Sequence, residues 1–131
     1  MKVHSVPIHI QGASVVPGTG AKKIEEFVGR VNTGTEDVSI AKMSAPPAWH
    51  EPAQTPAFDE YTIVLAGELV VEYGEGLINM MTIRSGEALL CPAGVRVRYS
   101  TKIDGLGADY LAVCLPAFSP SNVGREAHNG A

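Results

Sequence analysis

The residues best suited to chemistry lie in the segment 49–60 and on one later predicted strand. His50, Gln54 and Glu60 bring an imidazole, an amide and a carboxylate into that one segment, and Tyr99 adds a phenol. A carboxylate, a phenol and an imidazole together can carry out general acid–base chemistry on a small polar substrate. An imidazole and a carboxylate can also ligate a divalent transition metal. Both chemistries are open at this point.

Short β-strands must position these side chains, because the chain is punctuated by 14 glycines and 9 prolines. Between these breaks lie short runs rich in Val, Ile, Leu, Thr and Tyr, which is the strand signature. About eight such runs predict an all-β sandwich or barrel. The predicted strands are Ile24–Val31, Val38–Met43, Tyr61–Leu65, Glu68–Tyr73, Ile78–Ile83, Ala88–Cys91, Val95–Ser100 and Ala108–Leu115.

The two strands flanking Ala66 and Gly67 are separated by a predicted turn at that pair. The residues from Lys23 to Val31 also have some helical spacing, so a short helix is an alternative to the first strand.

Two sequence motifs resemble the paired signature of the cupin superfamily. In the first, Glu60 precedes a turn glycine, Gly67, by six intervening residues; in the second, Gly86 is followed after five residues by Pro92-Ala93-Gly94. The resemblance covers about residues 23–118, and its nearest likeness is the ethanolamine-utilisation accessory cupin. It implies a single-domain, RmlC-like cupin β-barrel (a double-stranded β-helix, or jelly roll) over residues 1–131, with a loose polar tail at 119–131.

The chain departs from the metal-binding members of that superfamily at three of the four ligand positions. The resemblance places those ligands at Gln54, Pro56, Glu60 and Val97, so that only the glutamate is retained. Proline and valine side chains cannot bind a metal. His50 lies four residues before Gln54, so a weak His50, Gln54 and Glu60 site for a divalent metal is the most that we predict, and no other cofactor. The alternative for His50 is a loop histidine packed beside Trp49 or capping a backbone group.

Strand parity locates the other pocket residues that the resemblance implies. If Glu60 faces the barrel interior, Thr62 does too, and Val97 and Tyr99 share the inward face of the later strand. A buried carboxylate needs a partner. We therefore predict catalytic roles for Glu60, Tyr99 and His50, and ligand contacts for Gln54, Thr62 and Val97. The alternative for Tyr99 is an aromatic side chain that merely fills the barrel.

Composition restricts the remaining possibilities. The net charge is −4 with no basic stripe, which argues against nucleic acid as a partner. The charged pairs Lys22-Lys23 and Glu25-Glu26 are typical of a solvated surface. No apolar run is long enough to span a membrane, and the start of the sequence lacks a signal-peptide pattern, so a cytoplasmic protein is expected.

The two cysteines, Cys91 and Cys114, are too few for a disulfide framework, and buried, unreactive thiols are predicted. Outward apolar residues such as Ile63 and Leu65, together with the resemblance, predict a homodimer. Function stays divided between two classes. One is an enzyme that isomerises or eliminates a small polar substrate; the other is a non-catalytic module that binds a small ligand.

Overall fold

The computed structural model describes residues 5–127. Residues 1–4, which contribute to the signal-peptide prediction, lie outside the described range. Residues 128–131 of the predicted tail lie outside it as well. The all-β prediction is confirmed. Eight strands are found among the described residues: β1 Ser14–Val16, β2 Lys23–Val28, β3 Ser39–Ala45, β4 Asp59–Tyr73, β5 Asn79–Arg84, β6 Ala88–Cys91, β7 Val97–Ser100 and β8 Ala108–Leu115.

The longest strand, β4, connects the two sides of the barrel. Its first half pairs with β8 on one side and β6 on the other, and its second half pairs with β5 and β7. The remaining order is β1-β2-β3-β8-β4, all antiparallel. The predicted helix alternative over the Lys23–Val31 segment is wrong, because β2 is hydrogen-bonded to strands on both of its edges.

The turn predicted at Ala66-Gly67 is also wrong, because β4 runs straight through it. The pairing of β4 with β8 shifts register between Val64 and Ala66, which is a β-bulge. Gly67 has φ +77°, and a Cβ there would clash with the carbonyl oxygen of Gly107. The glycine is therefore required for close approach of two backbones, and the bulge reverses which residues of β4 face inward.

Before the bulge, even-numbered residues of β4 face the interior; after it, odd-numbered residues do. Glu60, Thr62 and Val64 are buried, and so are Leu69 and Val71. The barrel interior is a tightly packed apolar cluster that includes Val64, Leu69, Val71, Val97, Tyr99 and Tyr110.

The segment 122–126 closes one side of the barrel and is not the loose tail that the sequence suggested. The amides of Thr55 and Ala57 donate to the carbonyls of Gly124 and Asn122, and the amide of Glu126 donates to Ala53. This segment, called the strap below, therefore lies as an added edge beside residues 53–57. No helix within residues 5–127 is long and apolar enough to cross a membrane.

Candidate functional site

A cavity of about 50 Å³ lies inside the barrel, and Glu60 forms part of its wall. It is enclosed by β2, β3 and β8, by the loop that leads into β4, and by the strap. Its volume admits only a few water-sized groups. The lining is mixed, and its polar side chains are Lys22, Glu26, Ser39, Glu51, Gln54, Glu60, Tyr99, Tyr110 and Arg125.

Glu60 is a buried carboxyl, 7% exposed, that receives one long hydrogen bond. The phenol of Tyr99 donates to its Oε1 over 3.4 Å, beyond the 2.5–3.0 Å that is usual for such bonds. Burial, and then repulsion by Glu51, raise the pKa of Glu60 from 4.5 to about 7, against the opposing effects of Lys22, Tyr99 and Arg125. A carboxyl with that pKa can both give and accept a proton near neutral pH.

A buried ion pair lies beside Glu60. Lys22 Nζ is 3.1 Å from Glu51 Oε2 and donates to the hydroxyl of Tyr110 at 3.5 Å. The same Lys22 ammonium lies 4.6 Å above the ring of Trp49. Arg125 Nη2 approaches the same Glu51 oxygen at 3.7 Å. Two cations thus converge on one carboxylate oxygen.

The structure brings Gln54 to this cavity but not His50. Gln54 Oε1 accepts a hydrogen bond from Arg125 Nη2 at 2.9 Å. His50 is exposed and borders an outer groove with Arg96 and Arg98 instead. The catalytic and metal roles predicted for His50 therefore do not fit its position.

A one-residue bulge explains why His50 is outside. His50 pairs with Ser100, and Gln54 pairs with Val97. The four-residue interval from His50 to Gln54 therefore lies opposite a three-residue interval from Ser100 to Val97. This extra residue reverses the alternation of side chains. The spacing of four residues that was expected to place His50 and Gln54 together instead separates them, and Glu51 takes the inward position.

Thr62 and Val97 are inward and fully buried, but neither lines the Glu60 cavity. The hydroxyl of Thr62 has no hydrogen-bond partner among the described residues. Val97 borders a separate apolar groove. Inward parity was therefore not enough to predict ligand contact, because side chains fill the barrel at these positions.

The donor set does not fit a metal. Within residues 5–127, no group of three or more His, Cys, Asp or Glu side chains is arranged to hold an ion. Glu60 and Gln54 share the cavity, but the Gln54 oxygen already accepts from Arg125.

The pKa of the Cys91 thiol is raised by burial and by Glu60, and that of Cys114 is raised by the same causes. Both thiols are free and buried, as the sequence predicted.

Sequence reasoning missed six polar residues of the cavity wall, which are Lys22, Glu26, Ser39, Glu51, Tyr110 and Arg125. Lys22 and Glu26 were assigned to a solvated surface, yet both are buried. Glu26 accepts from the amides of Val31 and Asn32, at 2.9 and 2.8 Å, and so stabilises the turn after β2. The alternation of β8 could have identified Tyr110, whereas no local signal marks Glu51 or Arg125.

Comparison with solved structures identifies the architecture. An oxalate decarboxylase variant of Bacillus subtilis superposes with a TM-score of 0.74 at 16% identity, over 95% of this chain and 33% of that chain. The polyketide cyclase RemF of Streptomyces resistomycificus gives 0.71 at 14%, over 96% and 89%. A putative ethanolamine utilization protein Q of Salmonella typhimurium gives 0.62 at 18%, over 84% and 99%. The chain has the cupin fold. At these identities the likeness establishes the fold alone.

Comparison of sequences adds a different relative. A protein of Myxococcus xanthus named Endoribonuclease YbeY is 47% identical over 114 residues, which are 86% of this chain and 37% of that protein. The cupin chain thus spans little more than a third of that relative's length. No protein-family model matches the chain.

The prediction that nucleic acid is not a partner is contradicted by this relative, whose name is that of an endoribonuclease. The exclusion rested on the absence of a basic stripe. Net charge reports only on binding to the phosphate backbone over a broad surface. It carries no information about a protein that acts on RNA through a few residues or through another part of a longer chain.

Proposed function

We propose that the Glu60 cavity binds a small polar molecule and that Glu60 exchanges a proton with it, in an isomerase or lyase reaction. The observation that carries this proposal is a buried carboxyl in a cavity wall whose pKa is raised to about 7. Tyr99 contacts that carboxyl and orients it. The pKa of Tyr99 is itself raised by burial and by Glu60, so the phenol donates a hydrogen bond and keeps its proton.

The first test is the titration of Glu60, followed by carboxyl carbon NMR and assigned with Glu60→Gln. A midpoint near 7 is expected, and a midpoint near 4.5 would contradict the proposal. The second test is deuterium exchange from solvent into a set of small carbon acids. Glu60→Gln should abolish any exchange that the protein catalyses. Glu68→Gln, at a partly exposed carboxyl paired with Arg84, is the matched control.

Binding without turnover is the alternative within the same site. It is favoured by the small size of the cavity and by the apolar groups that complete its lining. In that case Glu60 would still titrate near 7, and small molecules would still bind in the cavity. The native protein would then catalyse no more deuterium exchange into any bound compound than the Glu60→Gln variant does.

A role connected with RNA is the second candidate function, and it is supported by the name of the Myxococcus xanthus relative. Arg96 and Arg98 lie side by side on the outer groove, and arginines contact phosphates. Each is paired with a carboxylate, Glu126 or Glu72. Incubating the purified chain with single-stranded RNA tests this role. Cleavage or binding that is lost on replacing both arginines with alanine would support it.

We also propose a homodimer in the cytoplasm. The outward residues Ile63 and Leu65 are exposed, and so are Tyr61, Leu90 and Leu115 on the same face. An apolar face of this kind favours association. Sedimentation equilibrium should give twice the chain mass of 13.8 kDa at tens of micromolar, and Ile63→Lys should shift the protein to monomer.

A further inference from the structure

The strap separates two open spaces that lie on opposite sides of it. Val123 and Arg125 line the inner cavity of about 50 Å³ whose wall includes Glu60. Glu126, the next residue of the strap, lines the outer groove, which has a volume of about 400 Å³. Glu51 belongs to the walls of both spaces. Movement of the strap would therefore join the inner cavity to the outer groove.

The strap is also the part of the cavity wall that can open most easily. The wall strands β2, β3 and β8 are each hydrogen-bonded along both edges. Among the described residues, the strap is paired along one edge, by three main-chain hydrogen bonds to residues 53–57. Segments held by few contacts open at a lower free energy than interior strands do. A molecule can therefore reach Glu60 past the strap without disrupting the sheet.

Arg125 fastens the strap to two other segments. Its Nη1 donates to Thr19 Oγ1 at 3.0 Å, and its Nη2 donates to Gln54 Oε1 at 2.9 Å. The same Nη2 lies 3.7 Å from Glu51 Oε2. The Arg125 side chain is 31% exposed, so water can replace its partners when the strap moves. One side chain thus connects the strap to the segment before β2 and to the loop that leads into β4.

The two ends of the strap are attached differently. The Asn122 side chain donates to the carbonyl of Ala117 at 2.9 Å and accepts from the amide of Ser119 at 2.8 Å. The Glu126 side chain is attached through Arg96, in an ion pair of 2.7 Å whose side chains are 37% and 44% exposed. Exposed ion pairs contribute little to stability. We therefore expect the strap to pivot about Asn122 and to separate first at Glu126.

Gly124 allows the strap to lie close against the loop beneath it. Its φ is +60°, a conformation that favours glycine, and a Cβ there would clash with the carbonyl oxygen of Thr55. The neighbouring Val123 is buried and packs in a cluster with Phe58 and Cys114. The closed strap therefore shields the Cys114 thiol, which lines the inner cavity.

We propose that the strap is a gate, which opens to let a small polar molecule pass from the outer groove to Glu60, and that Arg125 holds it closed. This inference rests on the proposed function, because it describes access to the same site. It adds an entry route and assigns that route to residues 122–126. The movement itself needs no ligand, so it can be measured on the chain alone.

Labelling of Cys114 with methyl methanethiosulfonate, a small neutral thiol reagent, measures the opening. The thiolate displaces methanesulfinate and forms a mixed disulfide, which peptide mass spectrometry assigns to one cysteine. Cys91 is the internal control, because it borders the separate apolar groove. Gly124→Ala and Arg125→Met should each raise the labelling rate of Cys114 by about tenfold or more and leave that of Cys91 unchanged. Removing the Arg125 charge does not favour a thiolate, so faster labelling in that variant reports opening.

Two matched variants separate the strap from general effects of the substitutions. Gly34→Ala also places a side chain at a positive φ, +67°, but nothing lies within 4 Å of the added Cβ. Arg84→Met removes an arginine that is paired with Glu68 on another part of the surface. Neither variant should change the labelling rate of Cys114.

Hydrogen exchange of the native chain provides a second measurement that needs no substitution. The amides of Thr55, Ala57 and Glu126 make the three main-chain bonds between the strap and the loop. These amides should exchange together, and at least about a hundredfold faster than the amides of β8. In Arg125→Met, their exchange should accelerate by the same factor as the labelling of Cys114, because one opening exposes both.

Two results would overturn the gate. One is equal acceleration at Cys91 and Cys114, which would show that the substitutions act through global unfolding. The other is labelling of Cys114 at the native rate while the strap amides exchange faster, because the strap would then open without exposing the cavity. Both results leave the proposed function intact, since that function depends on the midpoint of Glu60. A Glu60 midpoint near 4.5 together with accelerated labelling of Cys114 would remove the proposed function and retain the gate.

Discussion

Lys22 and Glu51 form an ion pair of 3.1 Å across 29 residues of sequence, with both side chains almost completely buried. Lys22 comes from the segment just before β2, and Glu51 comes from the loop that leads into β4. The pair therefore ties two connections together directly beside Glu60. Because both charges are buried, breaking this pair should cost more free energy of unfolding than breaking an exposed ion pair elsewhere on the chain.

Breaking this buried pair should destabilise the protein strongly. Lys22→Met leaves the Glu51 carboxylate with only the more distant Arg125, and we expect a loss of about 3 kcal/mol in the free energy of unfolding. Lys23→Met is the matched control, because its pair with Glu25 is long and exposed, and it should cost less than about 1 kcal/mol. Urea unfolding measures both. Equal small effects would mean that the buried pair adds no more than a surface pair does.

The stability of the protein should depend on Glu60 in a specific direction with pH. The pKa of Glu60 is about 7 in the folded protein against 4.5 as its ordinary value, so the folded state holds this proton more tightly. The free energy of unfolding should then fall by about 3 kcal/mol as pH rises from about 4.5 to 7, and be flat above. Glu60→Gln should remove this slope, whereas Glu68→Gln should retain it. A slope that survives in Glu60→Gln would assign it to another group.

The sequence predicted the strands well because alternation and glycine are local signals. β6 and β8 begin and end at the predicted residues, Tyr61–Leu65 and Glu68–Tyr73 are both parts of the one strand β4, and the other predicted strands are found with shifted bounds. Glu60 and Tyr99 could be brought together because each lies on a regular strand with one face inward. β1 was missed, since it is only three residues long.

Two of the wrong predictions, the turn at Ala66-Gly67 and the inward position of His50, each came from a single extra residue. The bulge between Val64 and Ala66 was interpreted as a turn, and the bulge between His50 and Gln54 sent His50 outward. A bulge leaves almost no trace in composition, yet it reverses every later side chain on its strand. Arg125 was missed for a different reason, because the strap reaches the cavity only through contacts between residues distant in sequence.

Thr62 offers a test of packing in the barrel wall. Its hydroxyl is fully buried and has no hydrogen-bond partner among the described residues, so Thr62→Val removes an uncompensated polar group. We expect stability to be unchanged or raised by about 1 kcal/mol. The comparison is Thr101→Val, because Thr101 Oγ1 accepts from the amide of Trp49 and donates to the carbonyl of Pro46. That change should cost about 1–3 kcal/mol. A loss of similar size in both variants would reveal a hydrogen bond at Thr62.

Metal content provides the last prediction. A strong transition-metal site uses three or four good protein donors, whereas Glu60 and Gln54 share the cavity while His50 lies on the outer groove. Protein purified without added metal should therefore carry well under one iron, nickel, zinc or manganese ion per chain by plasma emission spectroscopy. Because His50 cannot reach Glu60 without reversing the bulge, His50→Ala should bind added Ni²⁺ no more weakly than the native chain does. Near-stoichiometric metal that disappears in His50→Ala would show that the loop rearranges to place the imidazole inside, and that the cavity is a metal centre.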